Sequence, residues 1–278
     1  MKLSIITINY NNSEGLSKTL QSVKSQRTSG SNDYEYIIVD GASDDGSVEL
    51  INDFGELVDK WISEPDGGIY NAMNKGVAMA HGDYCLFLNS GDNFHDDSAL
   101  ERIMNHPFKA DIVLTDVMNY DEKGKCFPYK APSNITLRRI LQMGIHHAGS
   151  LIKTELMRRH PYREDLKILS DRDFFIKSII FDNVSYEVFP QVICDFEYGG
   201  ASSNKQLVFE EREKILESYF PPRFIEEYNM SNLQILEMSE KLSKCKFKII
   251  KFICKIDLGI VRIFKFFLGK KVYHDKWL

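Results

Sequence analysis

Along roughly the first 115 residues, hydrophobic positions alternate between two rhythms. Short apolar runs rich in β-branched and aromatic residues, at Leu3–Ile8, Tyr36–Val39, Val58–Ile62, Tyr84–Leu88 and Ile112–Leu114, predict strands. Between them the apolar positions recur at helical spacing. Leu16, Leu20 and Val23 share one face, as do Val48 and Ile51, and as do Ala72, Val77 and Ala80 around Met73. The order βαβαβαβ predicts a mostly parallel sheet covered by helices on both faces, with ligands bound beyond the carboxyl ends of its strands.

After about residue 120 the alternation loosens. Lys123-Gly124-Lys125 reads as a hairpin turn, Pro128 and Pro132 as loop, and Leu137–Gln142 as a short helix. Leu166–Phe181 reads as one amphipathic helix approached through Tyr162–Asp165, and Val184–Phe196 as strands ending at Gly199-Gly200. The expected organisation is an α/β domain over 1–205, a helical extension over 206–240 and a basic tail over 241–278.

The composition of the 278 residues, 43% hydrophobic and 27% charged, excludes collagen-like, disordered and disulfide-scaffold classes. Five cysteines without any CxxC spacing argue against a zinc module and for a reducing compartment. No basic region and cleavage site precede the first apolar run, so no secretion signal is expected, and the Asn134 and Asn183 triplets carry no weight as glycosylation sites. Charge changes the picture more. Residues 241–278 hold eleven Lys and Arg against Asp257 and Asp275, a net +9, which leaves −14 for residues 1–240. An acidic body argues against nucleic acid as a partner, because phosphate contacts need a basic docking face. In the tail, Ile249, Ile253, Ile256, Ile260, Ile263 and Phe267 fall on one helical stripe opposite Lys248, Lys251, Lys255, Arg262 and Lys265. Two readings remain open for it, an amphipathic helix lying on an anionic membrane surface, or a helix packed on the body or on a partner.

Three segments bring polar groups to strand ends. The first, Val39-Asp40-Gly41-Ala42-Ser43-Asp44-Asp45-Gly46-Ser47, ends a buried strand on a carboxylate able to accept hydrogen bonds from a base or ribose, although Ser43 and Asp44 also suit a helix cap. The second runs from Ser63 to Gly76 and opens a helix with Gly67 and Gly68, whose N–H groups can meet a phosphate, with Lys75 further on. The third, Leu88-Asn89-Ser90-Gly91-Asp92, offers Asp92 to a hard divalent cation, or is simply a turn. Farther along, Asp171 and Asp173 stand two apart near a helix start, so one can face a cleft while the other meets solvent. Of the adjacent His146 and His147 at most one is expected to enter the site, and His147 is favoured for substrate contact.

With the first-strand segment Ser4–Asn12, these motifs in this order resemble family 2 glycosyltransferases of the GT-A fold, most closely the bacterial exopolysaccharide, colanic-acid-type and O-antigen transferases, over roughly residues 1–200. The resemblance implies a Rossmann-like mixed, mostly parallel sheet flanked by helices. It places Thr7, Asn9, Asp40, Asp44, Asp66, Gly67, Gly68, Asn74 and Asn89 at the nucleotide sugar, Asp92 at a divalent Mg2+ or Mn2+, and Asp171 as catalytic base with Asp173 in reserve. The family's Asp-x-Asp metal motif falls on Asn89–Asp92, where only Asp92 is a carboxylate. By the same resemblance, Tyr198–Ser202 forms a loop closing over the phosphates. The implied enzyme is an inverting transferase acting on a nucleotide-diphosphate sugar and a glycan acceptor. A lipid-linked acceptor suits the basic tail and a cytoplasmic location at the inner face of the cell membrane. The rivals are a non-catalytic nucleotide-sugar binding protein and a sugar-phosphate nucleotidyltransferase. The latter calls for a Gly-rich loop with Arg and Lys after the first strand, where this chain has Asn9-Tyr10-Asn11-Asn12.

Overall fold

The computed structural model describes residues 2–26, 34–121, 123–197 and 204–231. The expected tail helix and the Tyr198–Ser202 loop lie outside the described residues. The chain divides into a unit of residues 1–215, which holds the whole sheet, and a second unit beginning at Leu216. Residues 206–215 of the expected helical extension therefore belong to the body.

Strands β1 (Leu3–Asn9), β2 (Tyr34–Asp40), β3 (Lys60–Ser63) and β4 (Tyr84–Phe87) alternate with helices α1 (Ser13–Gln26), α2 (Ser47–Asp53) and α3 (Ile69–Met79), as the periodicity requires. Every residue of β1 and β2 is buried, the consequence of covering both faces of a parallel sheet with helices. Gly76 lets α3 lie close on β1, since a Cβ there would stand 2.5 Å from Ile6 Cγ2. The register sets Asn9 beside Asp40 and Asp40 beside Ser63, so polar residues line up along the carboxyl rim.

Beyond β4 come β5 (Asn93–Phe94), α4 (Ala99–Met104), β6 (Ile112–Tyr120), β7 (Cys126–Tyr129), α5 (Leu137–Met143), β8 (Leu151–Lys153), α6 (Thr154–Arg159), α7 (Ser170–Phe175), a π-helical turn at Ile176–Phe181, β9 (Tyr186–Glu197) and α8 (Lys205–Tyr219). One sheet results, in the order β3-β2-β1-β4-β8-β6-β9-β5, with β7 beside β6. β8 runs against both β4 and β6, so β6 and β9 share the direction of β1–β4, and only β5, β7 and β8 oppose it. The sheet is mixed and mostly parallel, as the resemblance implied.

Two local expectations need correction. Pro128 is not in a loop but in β7, which tolerates it because this edge strand pairs only with β6. The hairpin turn before it is as expected, with Gly124 at φ 74° and the Asp121 carboxylate accepting from the N–H groups of Lys123 and Lys125. The single helix expected over Leu166–Phe181 is instead a loop, the short α7 and a π-helical turn. Its first residues are drawn off because the N–H groups of Lys167, Ile168 and Leu169 bond to the side chain of Glu211, a partner no local pattern reveals.

Candidate active site

The rim is built from loops tied to one another. Asp40 is fully buried, and its carboxylate accepts from Asn9 Nδ2 (2.8 Å) and Ser43 Oγ (2.6 Å) at Oδ1, and from Ser43 N (2.9 Å) and Ser63 Oγ (2.6 Å) at Oδ2. Those four bonds use the accepting capacity of a carboxylate. Burial works to raise its pKa, but the bonds from Ser43, Ser63 and Asn9 outweigh it and hold the group below the ordinary value. Asn11 N also bonds Ser43 Oγ, and Asp44 N bonds Asn11 Oδ1, which welds the β1–α1 loop to the β2–α2 loop. Asn11 (φ 45°) and Ala42 (φ 62°) are held there in the left-handed region, a cost that this network offsets.

Asp66 closes the other side. Its Oδ1 accepts from Gly68 N at 2.8 Å, and a Cβ at Gly41 would press within 2.8 Å of its Oδ2. Gly68, at φ 115°, starts α3 in a backbone conformation that suits only glycine. Beside β1, the Asn89–Asp92 turn is gripped from α1: Thr19 Oγ1 donates to Asp92 O (2.7 Å) and accepts from Gly91 N (3.0 Å). Asp92 is 5% exposed, and its Oδ2 accepts from Asn89 N. Burial raises its pKa to about 7 against the opposing charge of His147 and the Asn89 N–H.

A cavity of about 460 Å³ opens here. Its polar wall carries Asn89, Asp92, His147, Lys167, Asp171 and Arg172. Its apolar wall carries Ile69, Tyr129, Met143, Ile145 and Phe196. Asp171 Oδ2 lies 3.2 Å from His147 Nδ1, and Asp171 Oδ1 accepts from Arg172 N at 2.8 Å, with Tyr70 Oη 3.2 Å away. On the far side of the imidazole, Nε2 is 3.3 Å from Asn89 Nδ2. In this orientation Asn89 donates to Nε2 and a neutral His147 donates from Nδ1 to Asp171; turning the amide over would present the partnerless, buried Asn89 Oδ1 to an imidazolium Nε2–H. Burial alone would raise Asp171 and lower His147. Their hydrogen bond and mutual charge reverse both, keeping Asp171 ionised and His147 readily protonated.

The structure thus gathers Asn89, Asp92, His147 and Asp171 at one cavity and spends other sequence candidates within the fold. Asp40 is not in the cavity wall, for the reason just given. Thr7 Oγ1 is buried, donating to Leu88 O at 2.6 Å beside Tyr36 Oη. Asn74 ties α3 to the loop after α6 through both Tyr162 backbone groups and Glu164. Asp173, held in reserve by the resemblance, meets neither solvent nor this cavity: it is 4% exposed and pairs with Arg163 at 3.2 Å. Asp44 sits exposed on the rim loop. Both adjacent histidines line the cavity, contrary to expectation: His146 packs edge-on between Tyr129 and Phe196, where burial lowers its pKa to about 4 and keeps it neutral. The sequence reading missed Tyr70, Lys167 and Arg172; the first stands directly after Gly68-Ile69 and the others flank the Asp171 segment, so only their neighbourhood was legible.

The model of the family described as glycosyl transferase family 2 matches residues 4–167, more than half of the chain. The chain belongs to glycosyl transferase family 2. A curated relative of this family 2 chain, an uncharacterized glycosyltransferase (Rv1514c) of Mycobacterium tuberculosis, is 30% identical over 209 residues, which are 73% of this chain and 78% of the relative. The poly(ribitol-phosphate) beta-N-acetylglucosaminyltransferase TarP of Staphylococcus aureus is 31% identical over 159 residues, 55% of this chain and 48% of TarP. Among solved structures, residues 1–349 of S. aureus TarS in complex with UDP-GlcNAc superpose with a TM-score of 0.58 at 21% identity, covering 73% of this chain and 61% of that one. At that identity the likeness speaks for the fold. This family 2 transferase has the mixed α/β sheet of its structural neighbours.

Proposed function

We propose that this glycosyltransferase moves a hexosyl or N-acetylhexosaminyl group from a nucleoside-diphosphate sugar to an acceptor hydroxyl, with inversion, in building a bacterial surface polysaccharide. The observation that carries the reading is the half-buried Asp171 carboxylate, held by His147 at 3.2 Å in a cavity that also presents Asp92, with its pKa drawn below the ordinary value by that hydrogen bond and charge. A hydroxyl nucleophile needs a positioned base, and Asp171 offers a carboxylate in the state that accepts a proton. As the acceptor oxygen attacks the anomeric carbon from the face opposite the diphosphate, its proton passes to Asp171. A single displacement through an oxocarbenium-like state inverts the configuration. Lys167 and Arg172 bring positive charge to the same cavity, where negative charge grows on the departing diphosphate. The similarity to TarP, a transferase of N-acetylglucosamine to poly(ribitol-phosphate), supports the polymer-building role. The reading is tested by assaying a panel of nucleotide sugars for release of nucleoside diphosphate, with product configuration followed by NMR. Retention would overturn the single displacement, and donor binding without turnover would favour a non-catalytic sugar-nucleotide binding protein.

Asp92 fits a divalent Mg2+ or Mn2+ of the kind held by one carboxylate, waters and substrate phosphates. Among the described residues no group of three His, Cys, Asp or Glu stands ready to hold an ion unaided. When bound with donor, such an ion supplies charge that offsets the leaving diphosphate. Asp92→Ala should abolish the gain in UDP affinity conferred by Mn2+, read by calorimetry with the metal and with chelator. An undiminished gain would remove Asp92 from the site.

No helix among the described residues is long and apolar enough to cross a membrane. The net +9 of residues 241–278 supports a peripheral, inner-face location next to a lipid-linked acceptor. The full chain should co-sediment with anionic and not with neutral vesicles; equal pelleting would count against the tail as the contact.

A further inference from the structure

The segment that delivers Asp171 is irregular from His160 to Leu169, yet its end is held firmly. Three consecutive N–H groups, those of Lys167, Ile168 and Leu169, converge on the one carboxylate of Glu211 from α8. Ile168 and Leu169 donate to Oε2 at 2.9 and 2.8 Å, and Lys167 donates to Oε1. Glu211 is 5% exposed, so these are charge-assisted bonds shielded from water. Successive N–H groups of this kind form a concave anion site, and here the anion comes from the chain itself, 42 residues beyond Leu169. The peptide that carries the Leu169 N–H is held at its other end, the Ile168 carbonyl. That carbonyl accepts from Tyr70 Oη at 2.5 Å, and the Tyr70 oxygen lies 3.2 Å from Asp171 Oδ1.

We propose that Glu211 is a positioning residue for the catalytic base: by fixing the 167–169 peptides it sets both the entry into α7 that aims Asp171 at His147 and the carbonyl that orients Tyr70. The inference rests on Asp171 being the base. Glu211 touches neither substrate nor reacting atoms, so its effect belongs in the chemical step, where a misplacement of about 1 Å can cost on the order of a hundredfold. Glutamine at this position keeps the shape but turns one acceptor into a donor facing an N–H group, which unseats at least one of the three peptides.

The test is steady-state kinetics on the full chain for Glu211→Gln, Asp171→Asn and the double variant, with the exposed neighbour Glu210→Gln as control. Glu211→Gln should lower kcat about 10- to 100-fold while donor KM stays within about twofold, and Glu210→Gln should leave both unchanged. In the Asp171→Asn background, Glu211→Gln should cost no more than about twofold further, because a residue that acts by placing the base has nothing left to place. Should Glu211→Gln fail to fold, Glu211→Asp, whose carboxylate falls one methylene short of the three N–H groups, undergoes the same comparison. Wild-type kcat in the folded Glu211 variant, beside an inactive Asp171→Asn, overturns this inference alone. So does a double variant whose losses multiply, or a Glu211 variant in which kcat falls only in proportion to the unfolded fraction. An Asp171→Asn variant of near wild-type rate overturns this inference and the proposed base together.

Discussion

Asparagine in place of Asp171 should lower kcat by at least about a hundredfold, the ordinary worth of a positioned general base being 10² to 10⁴. Asparagine keeps the volume and can still accept from Arg172 N and lie beside Tyr70, so the α7 entry should persist. What it loses is the basic lone pair and the negative charge that raises the pKa of His147. Nucleotide affinity should change by less than about threefold, because the proposed role of Asp171 is toward the acceptor's proton and not the donor. Initial rates with saturating donor, set against calorimetric UDP affinity, separate these outcomes. A variant with wild-type turnover removes Asp171 from the chemistry. One that loses rate and UDP affinity together makes it a binding residue instead.

The second large effect is structural in origin. Asp40→Ala leaves four donors, on Asn9, Ser43 and Ser63, facing a buried gap. A buried donor left without its acceptor costs about 1–3 kcal/mol, so Asp40→Ala should lower urea-unfolding stability by at least that order and loosen both rim loops. Asp40→Asn, with one oxygen replaced by a donor, should fall between. The pH dependence has a definite sign. The folded carboxyl lies below its ordinary value, so its contribution is complete above about pH 4, where an unfolded aspartate is ionised, and drains away as pH falls through the lower folded value. The gap between wild type and Asp40→Asn should therefore narrow on acidification. A variant as stable as wild type that has lost only nucleotide affinity would return Asp40 to direct ligand contact.

These two aspartates mark how far local pattern reaches. Both stand out in the sequence, one at a strand end and one near the start of an amphipathic run. Their jobs diverge because of partners distant in sequence. Asp40 meets Asn9 and Ser63 through the β1–β2–β3 register, which exhausts its lone pairs. Asp171 meets His147 and Tyr70 across a cavity and keeps a face toward it. Asp173, two residues on, is lost to Arg163 in the same way that Asp40 is lost to the serines.

Runs of β-branched residues alternating with helical stripes determined the parallel half of the sheet, since only burial on both faces makes an uninterrupted apolar strand favourable. The motifs at those strand ends determined the family, and the charge split along the chain is likewise a property of the sequence alone. Tertiary structure decided the rest. It chose which of several carboxylates stay available to a ligand, brought both histidines to one cavity, and broke the helix expected at Leu166 by offering its N–H groups a better acceptor. The physical reason is that a hydrogen bond or an ion pair depends on what lies within about 3 Å in space, and at this site the deciding partners come from 24 to 101 residues away.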